Sequence, residues 1–122
     1  WFGVTHIVAS EMTTDFYNPK TIAATMGSFT RVTVSYFPLE VFLAKVHDSG
    51  VPIIAATLDG KNVHESTLSK KGILMVGSES HGISDTFTSF ITNKVAIPQY
   101  GKAESLNVSI ATGILLSILR NT

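Results

Sequence analysis

Two runs of the chain are apolar at consecutive rather than alternate positions, and they restrict the fold more than any other feature. Val51-Pro52-Ile53-Ile54-Ala55-Ala56-Thr57 and Gly72-Ile73-Leu74-Met75-Val76 offer apolar side chains to both sides of an extended backbone. Strands buried on both faces belong to parallel sheets covered by helices. Lys94-Val95-Ala96-Ile97 predicts another short strand, and Val4 to Ala9 and the alternating Arg31-Val32-Thr33-Val34-Ser35-Tyr36 predict two more. Helices should lie between them. Asn18 followed by Pro19 supplies a cap with proline at the first helical position, which predicts a short helix from Pro19 to about Thr25, ended by Gly27-Ser28. Pro38 opens a second, in which Leu39, Phe42, Ala44 and Val46 can share a face before Asp48-Ser49-Gly50 closes it. Strands alternating with helices in this order specify an α/β fold, a mostly parallel sheet flanked by helices.

The last helix, from Leu106 to about Arg120, is of a different kind. Leu106, Ile110, Ile114 and Ser117 follow one stripe, but Val108, Ala111, Leu115, Leu116, Ile118 and Leu119 spread apolar character over most of the circumference. Such a helix must be covered on more than one side, by the core or by a second subunit. Trp1, Phe2, Phe29, Phe37 and Phe42 read as core or interface aromatics. No repeat, low-complexity tract or linker divides the chain, so residues 1–122 read as a single domain.

Composition narrows the function classes. The absence of cysteine removes a disulfide framework, a thiolate zinc site and a cysteine nucleophile, and fits a cytoplasmic protein. Nine basic residues balance nine acidic ones, so a nucleic-acid binder driven by bulk electrostatics is excluded. An RNA partner would need local attraction or a further segment. No apolar run reaches the ~20 residues of a membrane-spanning helix, which predicts no membrane partner. The opening Trp1-Phe2-Gly3-Val4 has neither a methionine nor a basic leader and reads as the remainder of something longer.

Two loops can carry chemistry. Gly77-Ser78-Glu79-Ser80-His81-Gly82 follows a predicted strand directly, and its glycines permit a tight turn and close approach of a ligand to backbone amides. Its spacing matches neither a dinucleotide fingerprint nor a P-loop. Glu79 would stand at the carboxyl end of a parallel strand, where open α/β sheets bind ligands. The second loop runs from Ile97-Pro98 to Ser105-Leu106-Asn107, with Ser105 placed to cap the final helix and Asn107 in its first turn. A buried asparagine amide there needs partners, and a polar ligand would supply them. His6, His47, His64 and His81 have no metal-ligand spacing, so no metal is expected, and no G-x-S-x-G marks a hydrolase nucleophile.

Taken together, three segments resemble one family, the SpoU or TrmH-like RNA ribose 2′-O-methyltransferases of the SPOUT class. Leu74-Met75-Val76-Gly77-Ser78-Glu79-Ser80-His81-Gly82-Ile83-Ser84 resembles its second motif, and Ile97-Pro98 through Ser105-Leu106-Asn107-Val108-Ser109-Ile110-Ala111 its third. Asn18-Pro19-Lys20 to Met26-Gly27-Ser28-Phe29 is similar to the segment before the family's next strand. The resemblance implies a C-terminal part tied in a deep trefoil knot, a site for S-adenosylmethionine formed by the knot, and a homodimer across it. By position, Thr57, Leu58, Gly77, Glu79, Gly82, Ile97 and Leu106 would line the cofactor pocket, and Ser105 and Asn107 would stand near the methyl-transfer centre. The substrate it implies is tRNA or rRNA.

Departures from the family bear on the chemistry. Trp1-Phe2-Gly3-Val4 looks like the tail of the family's first motif, so the motif's asparagine and presumed catalytic arginine, with the first strand, would precede residue 1. Ala23 stands where the family commonly has arginine, and Thr25 where it often has serine. A 2′-hydroxyl attacking a sulfonium methyl group needs in-line orientation and a route for its proton. Ser105 and Asn107 can orient but are not bases at neutral pH. Glu79 is a possible base, though a structural role in the loops suits it better. Methylation of a base nitrogen is the nearest enzymatic alternative. A knotted RNA-binding or scaffolding module without catalysis is the alternative from another class.

Overall fold

The computed structural model describes residues 1–121, which form two compact units, Trp1–Phe42 and a second beginning at Leu43. In the first, strands β1 (His6–Ala9) and β2 (Thr33–Tyr36) pair in parallel, with His6 opposite Thr33 and Ala9 opposite Tyr36. Helix α1 (Pro19–Ala24) lies on the connection between them. Asn18 caps it as the sequence predicts, its Oδ1 accepting from the Lys20 amide at 2.9 Å, and Thr25 is the first residue beyond it. The Tyr36 hydroxyl accepts from the Phe16 amide at 2.7 Å and donates to the Thr14 carbonyl at 2.8 Å, pinning the loop before the helix to the end of β2. Helix α2 spans Leu39–Asp48, and its one buried residue is Leu43, with Phe42, Ala44 and Val46 half-buried around it.

The second unit contains a three-stranded sheet in the order β4-β3-β5, every pair parallel: β3 is Ile53–Asn62, β4 Ile73–Met75 and β5 Asn93–Ala96. The five strands therefore form two parallel sheets rather than one. Ile53, Ile54 and Ala55 are almost wholly enclosed, as the consecutive apolar run requires of a central strand. Thr92 fixes the register of β5 from both directions, its hydroxyl accepting from the Ile53 amide at 3.1 Å and its own amide donating to the Ile53 carbonyl at 2.8 Å. Helix α3 (Val108–Asn121) places Leu115, 1% exposed, in a core with Ile54, Val63, Leu68 and Val95. Among the described residues no helix is long and apolar enough to cross a membrane.

Two expectations need correction. Strand β3 does not stop at Thr57. It pairs with β5 up to Ala56–Val95, bulges outward over Thr57-Leu58-Asp59-Gly60, and resumes at Lys61, again opposite Val95. Helix α3 begins at Val108 rather than Leu106, and its cap is Asn107 rather than Ser105. Of the aromatics expected in the core or at an interface, Trp1 is fully exposed and Phe37 half-exposed, while aliphatic residues and Met75 fill the interior.

Candidate functional site

Strand β3 comes first in sequence yet lies in the middle of its sheet, with β4 on one side and β5 on the other. At such a reversal of strand order the loops leaving the carboxyl ends diverge and open a crevice, the usual ligand position in open α/β sheets. A cavity of about 790 Å³ occupies that position. Its walls are the β3 bulge, the loop after β4 and the loop from β5 to α3.

Each wall is shaped locally. In the loop after β4, Ser78 and Gly82 exchange backbone hydrogen bonds at 3.1 and 2.9 Å, closing a narrow turn. Gly82 has φ +65°, and a Cβ on Gly77 would overlap the Gly82 backbone, so both ends of the turn need glycine. The Ser78 hydroxyl accepts from the His81 amide at 3.1 Å, and Ser80 Oγ lies 2.7 Å from His81 Nδ1. In the loop after β5, the Gln99 amide nitrogen donates to the carbonyls of Gly101 and Ala103, folding residues 99–103 back on themselves.

Asn107 joins the two loops. Its Oδ1 accepts from the amides of Ser109 at 2.9 Å and Ile110 at 3.3 Å, and its carbonyl accepts from the Ala111 amide, which is the geometry of a helix cap. Its Nδ2 donates to Glu79 Oε1 at 3.1 Å. The polar partners that the sequence led us to seek in a ligand are therefore supplied largely by the protein itself.

All seven residues singled out for cofactor binding line this one cavity: Thr57 and Leu58 on the bulge, Gly77, Glu79 and Gly82 after β4, Ile97 and Leu106 after β5. Ser105 lines it as well. Asn107 stands behind the wall, reaching it through Glu79. Sequence reasoning passed over Asp59, Lys94, Tyr100 and Glu104, which also face the cavity, and treated His81 as ordinary loop surface. Apart from Lys94, which lies near the start of β5, their signal was position, since each stands in a bulge or loop at the carboxyl edge of the sheet.

The electrostatics of the walls are uneven. Asp59, Glu79, Asp85 and Glu104 contribute carboxylates, and Lys94 pairs with Asp59 at 3.3 Å. The Asp59 carboxyl is held below the usual carboxylate range, first by the Thr57 hydroxyl and next by the Lys94 ammonium. Thr57 Oγ1 is itself buried and makes no hydrogen bond of good geometry among the described residues, although it is near enough to Asp59 to favour the ionised carboxylate.

Residues 1–117 match the SpoU rRNA Methylase family. The chain belongs to that family. It is 30% identical over 119 residues to the 23S rRNA (guanosine(2553)-2′-O)-methyltransferase of Bacillus subtilis, covering 97% of this chain and 48% of the relative. It is 40% identical over 76 residues to the tRNA (guanosine(18)-2′-O)-methyltransferase of Aquifex aeolicus, covering 61% of this chain and 36% of that one. Its fold superposes with a TM-score of 0.89 and 31% identity on the AdoMet-bound rRNA methyltransferase of Sinorhizobium meliloti, over 98% of this chain and 47% of the other. The chain thus spans about half the length, or less, of these relatives. Within the family, α/β architecture with parallel sheets flanked by helices is shared by this chain and its structural neighbours.

Proposed function

We propose that this chain is the donor-binding and methyl-transfer part of an S-adenosylmethionine-dependent RNA ribose 2′-O-methyltransferase acting on tRNA or rRNA. The observation that carries the reading is convergence: loops 56–59, 76–83 and 97–106, distant in sequence, meet at one cavity at the point where the strand order reverses. The methyltransferase names of relatives in the same family support the activity, and the AdoMet-bound neighbour supports the cofactor.

The residues present fit such a donor. A buried hydroxyl without a good partner, Thr57 Oγ1, stands in a wall where a polar ligand atom would satisfy it. At Gly77 the turn's own backbone occupies the place of a Cβ, while the space beside Gly82 is open. When bound, the donor supplies a methyl group on a positively charged sulfur that departs as a neutral thioether. In this reading Leu58, Ile97 and Leu106 provide apolar cover, Gly77 and Gly82 backbone approach, and Glu79 holds the two loops at fixed spacing through Asn107. Ser105 would orient the ribose hydroxyl, and Asn107 would act by positioning the start of α3. Neither accepts a proton at neutral pH.

The same reading extends to assembly. We propose a homodimer and the family's deep trefoil knot in the part of the chain after β3, in a cytoplasmic protein. Half-exposed apolar side chains support the dimer: Leu106 and Ile110 on either side of the α3 cap are 50% and 57% exposed, and Leu115 alone is fully buried in that helix. A second copy would cover them.

Calorimetry and labelled-methyl transfer test the function. The full-length protein should bind S-adenosylmethionine far more tightly than ATP and methylate unmodified tRNA or rRNA at ribose. Asn107→Ala should lose much more transfer than donor affinity. Equal affinity for the donor and ATP would refute the reading.

A further inference from the structure

The cavity wall contains an aromatic side chain that the donor site leaves unexplained. Tyr100 lines the cavity, yet it is 95% exposed, so its ring is covered by almost nothing in the protein. An aromatic ring left in water forgoes its main source of stabilisation. It is not on a slack loop, because Gln99 next to it is bonded to the carbonyls of Gly101 and Ala103 and fixes the turn that presents it. The ring is therefore held out at the cavity mouth.

Charge at that mouth decides what the ring can receive. Asp59, Glu79, Asp85 and Glu104 face the cavity, and Lys94 is committed to Asp59. Exposed Lys102 stands in the same turn as Tyr100, but carboxylates predominate on the cavity wall, so an RNA strand gains little from backbone charge there. A nucleobase carries no charge, and an aromatic platform binds any base by its π-face. With a volume of about 790 Å³, toward the upper end of the range for small-molecule sites, the cavity has room for part of a nucleoside beside a donor.

We propose that Tyr100 is a stacking platform for the base of the acceptor nucleotide, holding its ribose at the cavity mouth through an uncharged contact. This rests on the reading of the cavity as a methyl-transfer site. Tyr100 is a substrate-binding residue in this role, indifferent to which base it holds, and the phosphates of the strand must be held by other surfaces.

The test measures methyl transfer into unmodified bulk tRNA and rRNA at varied RNA concentration, with donor affinity measured separately by calorimetry, on the full-length protein. Tyr100→Ala should raise the apparent KM for RNA about 5- to 150-fold, the range expected for loss of one base–aromatic stack. Donor affinity should change less than about twofold, and the salt dependence of RNA affinity should keep its slope, because no phosphate contact is removed. Tyr100→Phe should restore most of the lost affinity, since the stack uses the ring and not the hydroxyl. With so little of the ring buried, thermal melting of the alanine variant should match wild type. An unchanged KM, or a loss of donor affinity equal to the loss for RNA, overturns the platform while leaving the methyltransferase reading intact. A wild-type protein that binds no donor overturns both.

Discussion

Asn107 combines two jobs in one side chain, and substitutions can separate them. Its Oδ1 satisfies two free amides at the start of α3, and its Nδ2 ties that helix to the loop after β4 through Glu79. Loss of an asparagine cap costs about 1 kcal/mol. The bond to Glu79 is exposed, which puts it at the low end of about 0.5–1.5 kcal/mol. Asn107→Ala should therefore cost about 1.5–2 kcal/mol, and Glu79→Ala only about 0.5 kcal/mol. For a chain of this length each kcal/mol lowers Tm by about 4 °C, so the two variants should melt about 6–8 °C and 2 °C below wild type. Asn107→Asp is the discriminating variant. An aspartate keeps the acceptor for Ser109 and Ile110 and favours the positive end of the helix dipole, but it cannot donate to Glu79 and places a second carboxylate beside it. It should fall between the other two. Urea and thermal unfolding of the three single variants and of Glu79→Ala/Asn107→Ala complete a double-mutant cycle, with an expected coupling near 0.5 kcal/mol. If Asn107→Asp is as unstable as Asn107→Ala, the cap is not what the side chain contributes and the account of α3 is wrong.

Gly77→Ala should cost about 1–3 kcal/mol in urea unfolding, because the new Cβ overlaps the Gly82 backbone, and should lower donor affinity about tenfold or more as the turn opens; wild-type stability and affinity would show that the turn tolerates a side chain. The Asp59 carboxyl should titrate below a free aspartate by NMR, and Thr57→Val and Lys94→Met should each raise its midpoint. Since the folded-state value is depressed, the associated stabilisation is present above the unfolded-state pKa and is lost as pH falls through the folded one. The group is fully exposed, so the effect belongs to the titration curve rather than to the melting temperature.

How far the chain could be read in advance depended on which interactions were local. The double-faced runs at Ile53–Ala55 and Ile73–Met75 needed only burial to be interpreted, and they are where expected. The Asn18-Pro19 cap is likewise a contact between near neighbours. The β3 bulge was invisible because Thr57-Leu58-Asp59-Gly60 reads as a strand ending in a turn. Only the return of Lys61 to Val95, a residue more than thirty positions away, makes those four residues a protrusion rather than a terminus. Gly60 permits that return, since a Cβ there would lie 2.5–2.7 Å from the Val95 backbone. At α3 the sequence placed the cap at Ser105 and Asn107 inside the first turn, and periodicity could not shift that boundary by two residues. Asn107 takes the cap because its amide oxygen reaches both Ser109 and Ile110, while Ser105 stays on the cavity wall. The residues that the motif strings singled out for the cofactor line one cavity. The strings gave no hint that Glu79 and Asn107 would be bonded to each other, which is a fact about side-chain geometry across 28 positions.

That 28-residue span also sets a schedule. The turn after β4 closes on its own residues, but the bulge waits for Val95, and the third wall and the cap arrive only when residues 97–107 have been synthesised. A nascent chain paused before β5 has one finished wall and no cavity, so a small molecule bound there could not act as a template for the strands that precede it. If the cavity takes the proposed donor, binding would then be a report on finished folding: a chain that captured it would already have docked its last helix, and one that had not would be unprotected however much donor surrounded it.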